Sequence, residues 1–473
     1  MKALFIGLLF LFSITGIFND LQGQNTIADS LLIINSLHLS GNKVTIDKIL
    51  MREITIRPGD TLSIKELQKR LIQSQENLMN TSLFNFVTFS DSATPYPSVL
   101  PKYDIYVKVI EQWYIWPLPI FELAERNLNT WWQTKDFSMV NYGMFLDWKN
   151  FRGRKEHLKI LLQFGYDEKL GFSYYLPYID KKQTIGLSFG FNQTKNHAIS
   201  YVTEKNQVHR IKLEDDYAQI TYHGFLALGH RPNIYQTHHV EVSYNQMHFA
   251  DTVLHLNPMF YTGKDELAQY FKLSYYFKND HRDYKSYPLK GYYYDVLLEK
   301  KGFGLFKGTE VNLFEAKANV RKYWKLSRKW FFASGLTARL ANKGTHPYFM
   351  TTGLGYGRDF VRGYEYYVAD GQDYGLIKTD LKFALIPQQI STIKLIPNES
   401  FNKIPWAVYL SLFGDFAYTP GKGYNGNTLQ NELLIGYGFG LNLVTYYDMV
   451  IRMEYSFNKM GESGFFIHFI ASI

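Results

Sequence analysis

The sequence predicts a mainly β protein: a large antiparallel β-barrel crossing a membrane, preceded by a small α+β domain. Three observations carry that expectation. First, aromatic residues make up 17% of the 473 residues, with 37 Tyr and 36 Phe, against 20% charged residues. That mixture excludes a bundle of membrane helices, which needs repeated apolar runs of about 20 residues. Second, the long apolar run stands at the start, where Met1 and Lys2 give a positive end, Ala3 to Phe18 an apolar core and Asn19 to Gln24 a polar exit. Residues 1–23 therefore read as a secretory signal peptide. Third, from about Trp113 onward, large apolar residues alternate with small or charged ones in segments of roughly ten residues, the length of a tilted membrane strand.

Composition also excludes several function classes. The chain has no cysteine, which removes disulfides, thiolate metal sites and a lipidated cysteine anchor. Its net charge of +8 is spread along the chain without a long basic run, so nucleic acid is not expected as a partner.

Residues 28–111 read as the α+β domain. LLIINSLHLSGN (31–42) is a strand closed by Gly41-Asn42, and TIDKILMREI (45–54) a short helix with Thr45 as N-cap. Ser63 and Glu66 form an S-x-x-E capping pattern that opens a second helix, whose Ile64, Leu67, Leu71 and Leu78 keep helical spacing. FNFVTF (84–89) and YDIYVKVI (103–110) alternate as strands, with Tyr103, Ile105, Val107 and Val109 on one face. The β-α-α-β-β order and the phrases SGNKVTIDKILMREITIRPGD, LMNTSLFNFVTF and YDIYVKVIEQ resemble a POTRA domain.

Residues 113–473 read as the barrel. In TIGLSFGF, Ile185, Leu187, Phe189 and Phe191 share a face opposite Thr184, Gly186, Ser188 and Gly190. GYGFGLNL sorts Tyr437, Phe439, Leu441 and Leu443 against Gly436, Gly438, Gly440 and Asn442. MVIRMEYSF sorts Met449, Ile451, Met453, Tyr455 and Phe457 against Val450, Arg452, Glu454 and Ser456. A soluble sandwich also alternates, but aromatic residues on one face and glycine or charge on the other suit a wall between lipid and a polar lumen. Lipid leaves no backbone group unpaired unless such a sheet closes. The length allows about 14 to 18 strands, an even number.

Further motifs follow in order: NFRGR (150–154), NDHRDYKSYPLKGYY (279–293), FVRGYEYY, KTDLKFAL, LFGDFAY (412–418) and GYGFGLNLVTYYDMVIRMEYSF. Together they resemble the BamA/TamA family, the bacterial surface antigen family. The resemblance implies a 16-stranded outer-membrane barrel preceded by one periplasmic POTRA domain. It also implies that the loop bearing Val361, Arg362, Gly363 and Tyr364 folds back inside the barrel, where its arginine meets the inner wall. Periodicity supplies the partners independently. Ile377, Thr379, Leu381, Phe383 and Leu385 take the lipid face, so Lys378, Asp380 and Lys382 point inward. Val408, Leu410, Leu412, Phe416 and Tyr418 do the same, so Asp415 points inward. Asp380 and Asp415 are therefore the expected partners of Arg362.

Catalytic patterns fail. There is no G-x-S-x-G, and His238 and His239 would point to opposite faces of a strand. The alternating glycines 436, 438 and 440 precede no helix, so they are no dinucleotide loop. No enzyme activity, cofactor or metal is expected. The resemblance implies an assembly factor that inserts or translocates protein. Its partners would be outer-membrane lipid and unfolded outer-membrane or secreted clients, with periplasmic chaperones or accessory lipoproteins as further candidates. Clients would be captured by strand addition to the POTRA sheet and passed through a lateral seam between the first and last barrel strands. The alternative is a dedicated secretion pore of the two-partner type; a passive porin is disfavoured by the POTRA segment and the Arg362 loop. The ending SGFFIHFIASI departs from the family's aromatic terminus, since it closes on Ile473 with Phe469 upstream.

Overall fold

The alternation of Ile105, Val107 and Val109 produces the buried face of a four-stranded sheet, covered on that side by two helices. The computed structural model describes residues 30–94, 99–123, 140–421, 427–471 and 473; the expected signal peptide lies outside them. In chain order the first elements are β1 (Leu31–Ser40), α1 (Asp47–Glu53), β2 (Thr61–Ser63), α2 (Ile64–Met79), β3 (Phe84–Ala93) and β4 (Lys102–Glu111). The sheet runs β2-β1-β4-β3, with β1 parallel to β4 and the other neighbours antiparallel. Leu32, Ile34, Ile49, Leu50, Leu67 and Phe84 complete its core.

Two local expectations change. The helix expected to start behind Thr45 begins at Asp47, and Ile46 occupies the N-cap without a side-chain bond. The Thr45 hydroxyl is used elsewhere: it accepts from Asn150 Nδ2 at 2.8 Å and lies 3.1 Å from the Tyr114 hydroxyl. The second helix is capped as its pattern indicates, Ser63 Oγ accepting from the Glu66 N–H at 3.3 Å. Only half of the capping box forms, because the Glu66 carboxylate turns forward to Arg70 Nε at 3.1 Å.

The rest of the chain is a wall of strands: β5 (Ile115–Leu123), β6 (Val140–Phe151), β7 (Glu156–Gly165), β8 (Glu168–Leu176) and β9 (Ile185–Asn196). A hairpin follows, β10 (Ala198–Glu204) with β11 (Gln207–Lys212), and forms its own two-stranded sheet. The wall resumes with β12 (Gln219–His230), β13 (Gln236–Phe249), β14 (Leu267–Asp280), β15 (Gly291–Lys301), β16 (Leu313–Lys325) and β17 (Trp330–Ala341). It ends with β18 (Tyr374–Thr392), β19 (Lys403–Tyr418), β20 (Leu433–Val444), β21 (Val450–Asn458) and β22 (Ser463–His468). These make one 16-stranded antiparallel sheet in sequential order, β9 pairing with β12 past the hairpin. Phe189, Phe191, Tyr437, Phe439 and Tyr455 are exposed on its outer face, while Ser188, Arg452, Glu454 and Ser456 are buried on its inner face. Among the described residues no ladder joins β22 to β5.

The α+β domain sits across the short-turn end of this wall. The Ile46 N–H donates to Gly153 O at 3.1 Å in the β6–β7 turn. Arg231, after β12, grips Glu53 with both arms at 2.5 and 2.9 Å. Asn80 Nδ2 donates to Asp283 O at 2.7 Å, and Ser82 Oγ to Asp448 at 2.9 Å. At the opposite end the β10–β11 hairpin folds over the interior. Its Asn206 carbonyl accepts from the Val368 N–H at 2.8 Å, and its side chain bonds Thr428.

Candidate functional site

The connection between β17 and β18, residues 342–373, enters the interior rather than standing off in solvent. Val361 and Tyr364 anchor it in an apolar cluster with Leu354, Tyr374, Leu376 and Leu434. The Tyr364 N–H closes a turn onto Val361 O at 3.1 Å, and Gly363 takes φ +92°, a conformation that strains any residue with a Cβ. That turn aims Arg362 at the wall, where the side chain is 0% exposed.

Each wall contact is positioned by strand register. Asp380 lies on β18, and Asp415 on β19 opposite Lys378. Arg362 Nε donates to Asp415 Oδ2 at 2.9 Å and Nη2 to Asp415 Oδ1 at 2.6 Å, a two-pronged contact. The Arg362 backbone N–H adds a third bond to Asp415 at 3.0 Å. Nη1 donates to Asp380 Oδ1 at 2.7 Å, and Nη2 also reaches Thr379 O at 3.2 Å. The guanidinium lies over the Phe413 ring, 3.9 Å from its centroid. A buried cation is costly unless paired and hydrogen-bonded, and these contacts meet that condition.

The structure thus brings together every residue the sequence nominated: Val361, Arg362, Gly363 and Tyr364 from the loop, Asp380 and Asp415 from the wall. It also adds residues that sequence reasoning left out. Glu454 Oε1 stands 3.5 Å from Arg362 Nη1 and accepts from Arg452 Nη1 at 2.6 Å. Its inward direction was legible in MVIRMEYSF; its height relative to Arg362 depends on strand register, which alternation does not carry. The glycine lane of β20 has a role as well. A Cβ at Gly436 would lie 1.8 Å from Arg362 O, and one at Gly440 would lie 2.8 Å from Glu454 Cγ. These glycines leave the space in which the loop backbone and the carboxylates sit. Lys382 completes the surroundings, its ammonium 4.3 Å from the centroid of the Tyr287 ring.

The site is a latch that ties an inserted loop to three neighbouring regions of the wall. A 16-stranded membrane barrel with a folded α+β domain on its short-turn end and such a loop in its lumen defines the class. Residues 150–457 match the model of the Omp85 superfamily domain, and residues 32–112 match the POTRA model, a surface antigen variable number repeat. The chain belongs to the Omp85 superfamily. Members of this superfamily are outer-membrane barrels that act in protein insertion or translocation, with POTRA repeats in the periplasm.

Among solved structures, BamA from Haemophilus ducreyi lacking POTRA domains 1–3 is 15% identical over 93% of this chain and 83% of its own, with a TM-score of 0.48. CdiB from Acinetobacter baumannii is 14% identical over 92% of this chain and 74% of its own, with a TM-score of 0.46. CdiB from Escherichia coli is 8% identical over 96% of this chain and 92% of its own, with a TM-score of 0.45. The comparison with curated proteins gave no match.

Proposed function

We propose that this chain inserts protein clients into the outer membrane, receiving an extended segment at its POTRA sheet and passing it to lipid at the seam between β5 and β22. The observation that carries this reading is the seam itself. β22 has only six residues and stops at His468, opposite Arg452. Arg452 Nε then donates to Ile470 O at 2.6 Å, drawing the chain inward, and Ile473 packs against Tyr323 and Ala333. Among the described residues β5 and β22 are the end strands of the sheet, and a wall left unzipped there offers their edges for pairing.

The interior favours a sideways route over a central one. The Arg362 loop occupies the lumen, the hairpin covers one end, and the α+β domain covers the other. The free edge of β3, at the end of the POTRA sheet, offers backbone groups for strand addition without demanding a particular client sequence. No nucleotide is required, because burying apolar surface and pairing strands in lipid supply the free energy.

The test is depletion followed by a survey of the outer membrane. Loss of several unrelated barrel proteins supports insertion. Loss of one secreted protein with the barrels intact supports a dedicated secretion pore instead. An unchanged membrane and secretome overturn both.

A further inference from the structure

The first barrel strand, β5, has the sequence IWPLPIFEL and carries prolines at 117 and 119. Proline has no N–H to give to a ladder, so two prolines spaced by one residue remove two donors from the same edge of a strand. Which edge loses them follows from the pairing. Tyr114 O accepts from the Lys149 N–H at 2.8 Å, so position 114 turns its backbone groups toward β6. The register then runs without a shift from Ile115↔Trp148 to Leu123↔Val140. In an antiparallel pair, positions alternate between bonding the partner and facing away from it. Position 116 therefore faces β6, whereas 115, 117, 119 and 121 face the other way. Pro117 and Pro119 sit where their donors would have pointed at the seam, and the pairing with β6 loses nothing.

We infer that Pro117 and Pro119 are positioning residues that keep the barrel from zipping shut, by making the middle of the seam edge of β5 able to accept hydrogen bonds but not to donate them. The strand that would close against this edge is the chain's own β22. Its carbonyls would meet no N–H at 117 and 119, so a ladder between the two would be broken at its centre. The geometry on the other side agrees: β22 ends at His468, and the chain leaves the wall for the interior through the Arg452–Ile470 bond. Prolines are favoured at sheet edges, and among the described residues β5 is one of the two end strands of the 16-stranded sheet. The inference rests on the proposed seam route for its biological consequence, but not for its physical content.

The test is the double substitution Pro117→Val and Pro119→Val in the full-length chain, which restores both donors and keeps β-compatible side chains. Each restored hydrogen bond contributes a factor of roughly 2 to 10, so the ratio of unzipped to zipped seams should fall by roughly fourfold to a hundredfold. The readout is oxidation of single cysteine pairs scanned between position 118 and positions 464–468, in a chain free of native cysteine. Cross-linking in one dominant register, at higher yield than in the parent, is the expected result. Equal yield and the same spread of registers with and without the prolines would overturn the inference. Pro117→Ala alone should fall between the parent and the double variant, which separates restored donors from a general effect of valine. Client insertion by the double variant is scored separately. A zipped seam with undiminished insertion would overturn the seam route while leaving the role of the prolines intact.

Discussion

Replacing Arg362 by alanine removes three side-chain bonds to carboxylates, two to Asp415 and one to Asp380. Taking one partner out of a buried ion pair costs about 3–5 kcal/mol, because the remaining charge stays desolvated. Two features place the cost here near the lower end. Asp415 keeps the backbone N–H of residue 362 at 3.0 Å and has Lys378 Nζ at 4.0 Å. A loss of about 3 kcal/mol shifts the balance between seated and released loop by roughly a hundredfold. The wall does not depend on the latch, so the barrel should still assemble, extract only with detergent and migrate faster unheated than boiled. Proteolysis within residues 342–373 in the membrane-embedded protein should accelerate by about that factor, since cleavage follows the released population when seating is fast. Ion conductance in planar bilayers should rise with it. Arg362→Lys should recover part of the protection, because lysine lacks the planar fork that engages Asp415 twice. Equal cleavage and equal conductance for Arg362→Ala and the parent would refute the latch.

The remaining predictions concern the latch's partners and the contact between domain and barrel. Asp415→Asn should release the loop more than Asp380→Asn, and Glu454→Gln least, following three bonds, one bond and a 3.5 Å approach respectively; the same proteolysis ranks them. Gly436→Ala should displace the loop at a cost of about 1–3 kcal/mol while β20 keeps its pairing, because the new methyl collides with backbone that cannot rotate away; hydrogen exchange of loop and strand separates the two effects. Docking of the α+β domain should weaken in acid. Burial opposes ionisation of Glu53, but the Arg231 guanidinium outweighs it and holds the carboxyl below its usual value, near 4.3. Its contribution is therefore present above that value and lost as pH falls through the depressed one. Docking should also tighten in alkali, since burial pushes the Lys155 ammonium, beside Glu53, Arg231, Lys278 and Lys285, down to about 7. The docked state then binds fewer protons between about 7 and about 10.4, so stability rises with pH there. Exchange protection at the turn bearing Asn150 and Gly153 reports both limbs.

The wall was legible in the sequence because lipid outside and polar lumen inside force opposite chemistry onto alternate residues. That is why TIGLSFGF and MVIRMEYSF declared their inward faces, and why Asp380 and Asp415 could be set opposite Arg362. What alternation lacks is height along the barrel, so Glu454 was sorted inward without being joined to the latch. Contacts between distant segments left no local trace either. Glu53 and Arg231 are 178 positions apart, and Thr45 gave up a capping role to bond Asn150 across 105 positions. The three-residue β2 was too short to alternate visibly. Pro117 and Pro119 stand openly in the sequence, yet their meaning depends on which neighbour Tyr114 faces, and that is fixed only by the pairing with β6.

The most direct test of the seam route locks the seam in a working protein. A single disulfide is introduced between β5 and β22, at a pair of positions found to oxidise, and the protein is reconstituted into lipid vesicles with an unfolded barrel client. Insertion, read as the heat-resistant folded fraction of the client, should stop in the oxidised protein and return in full on reduction. Equal insertion by the oxidised and reduced forms would contradict the account, for the client would then be reaching lipid by a path that does not pass between β5 and β22.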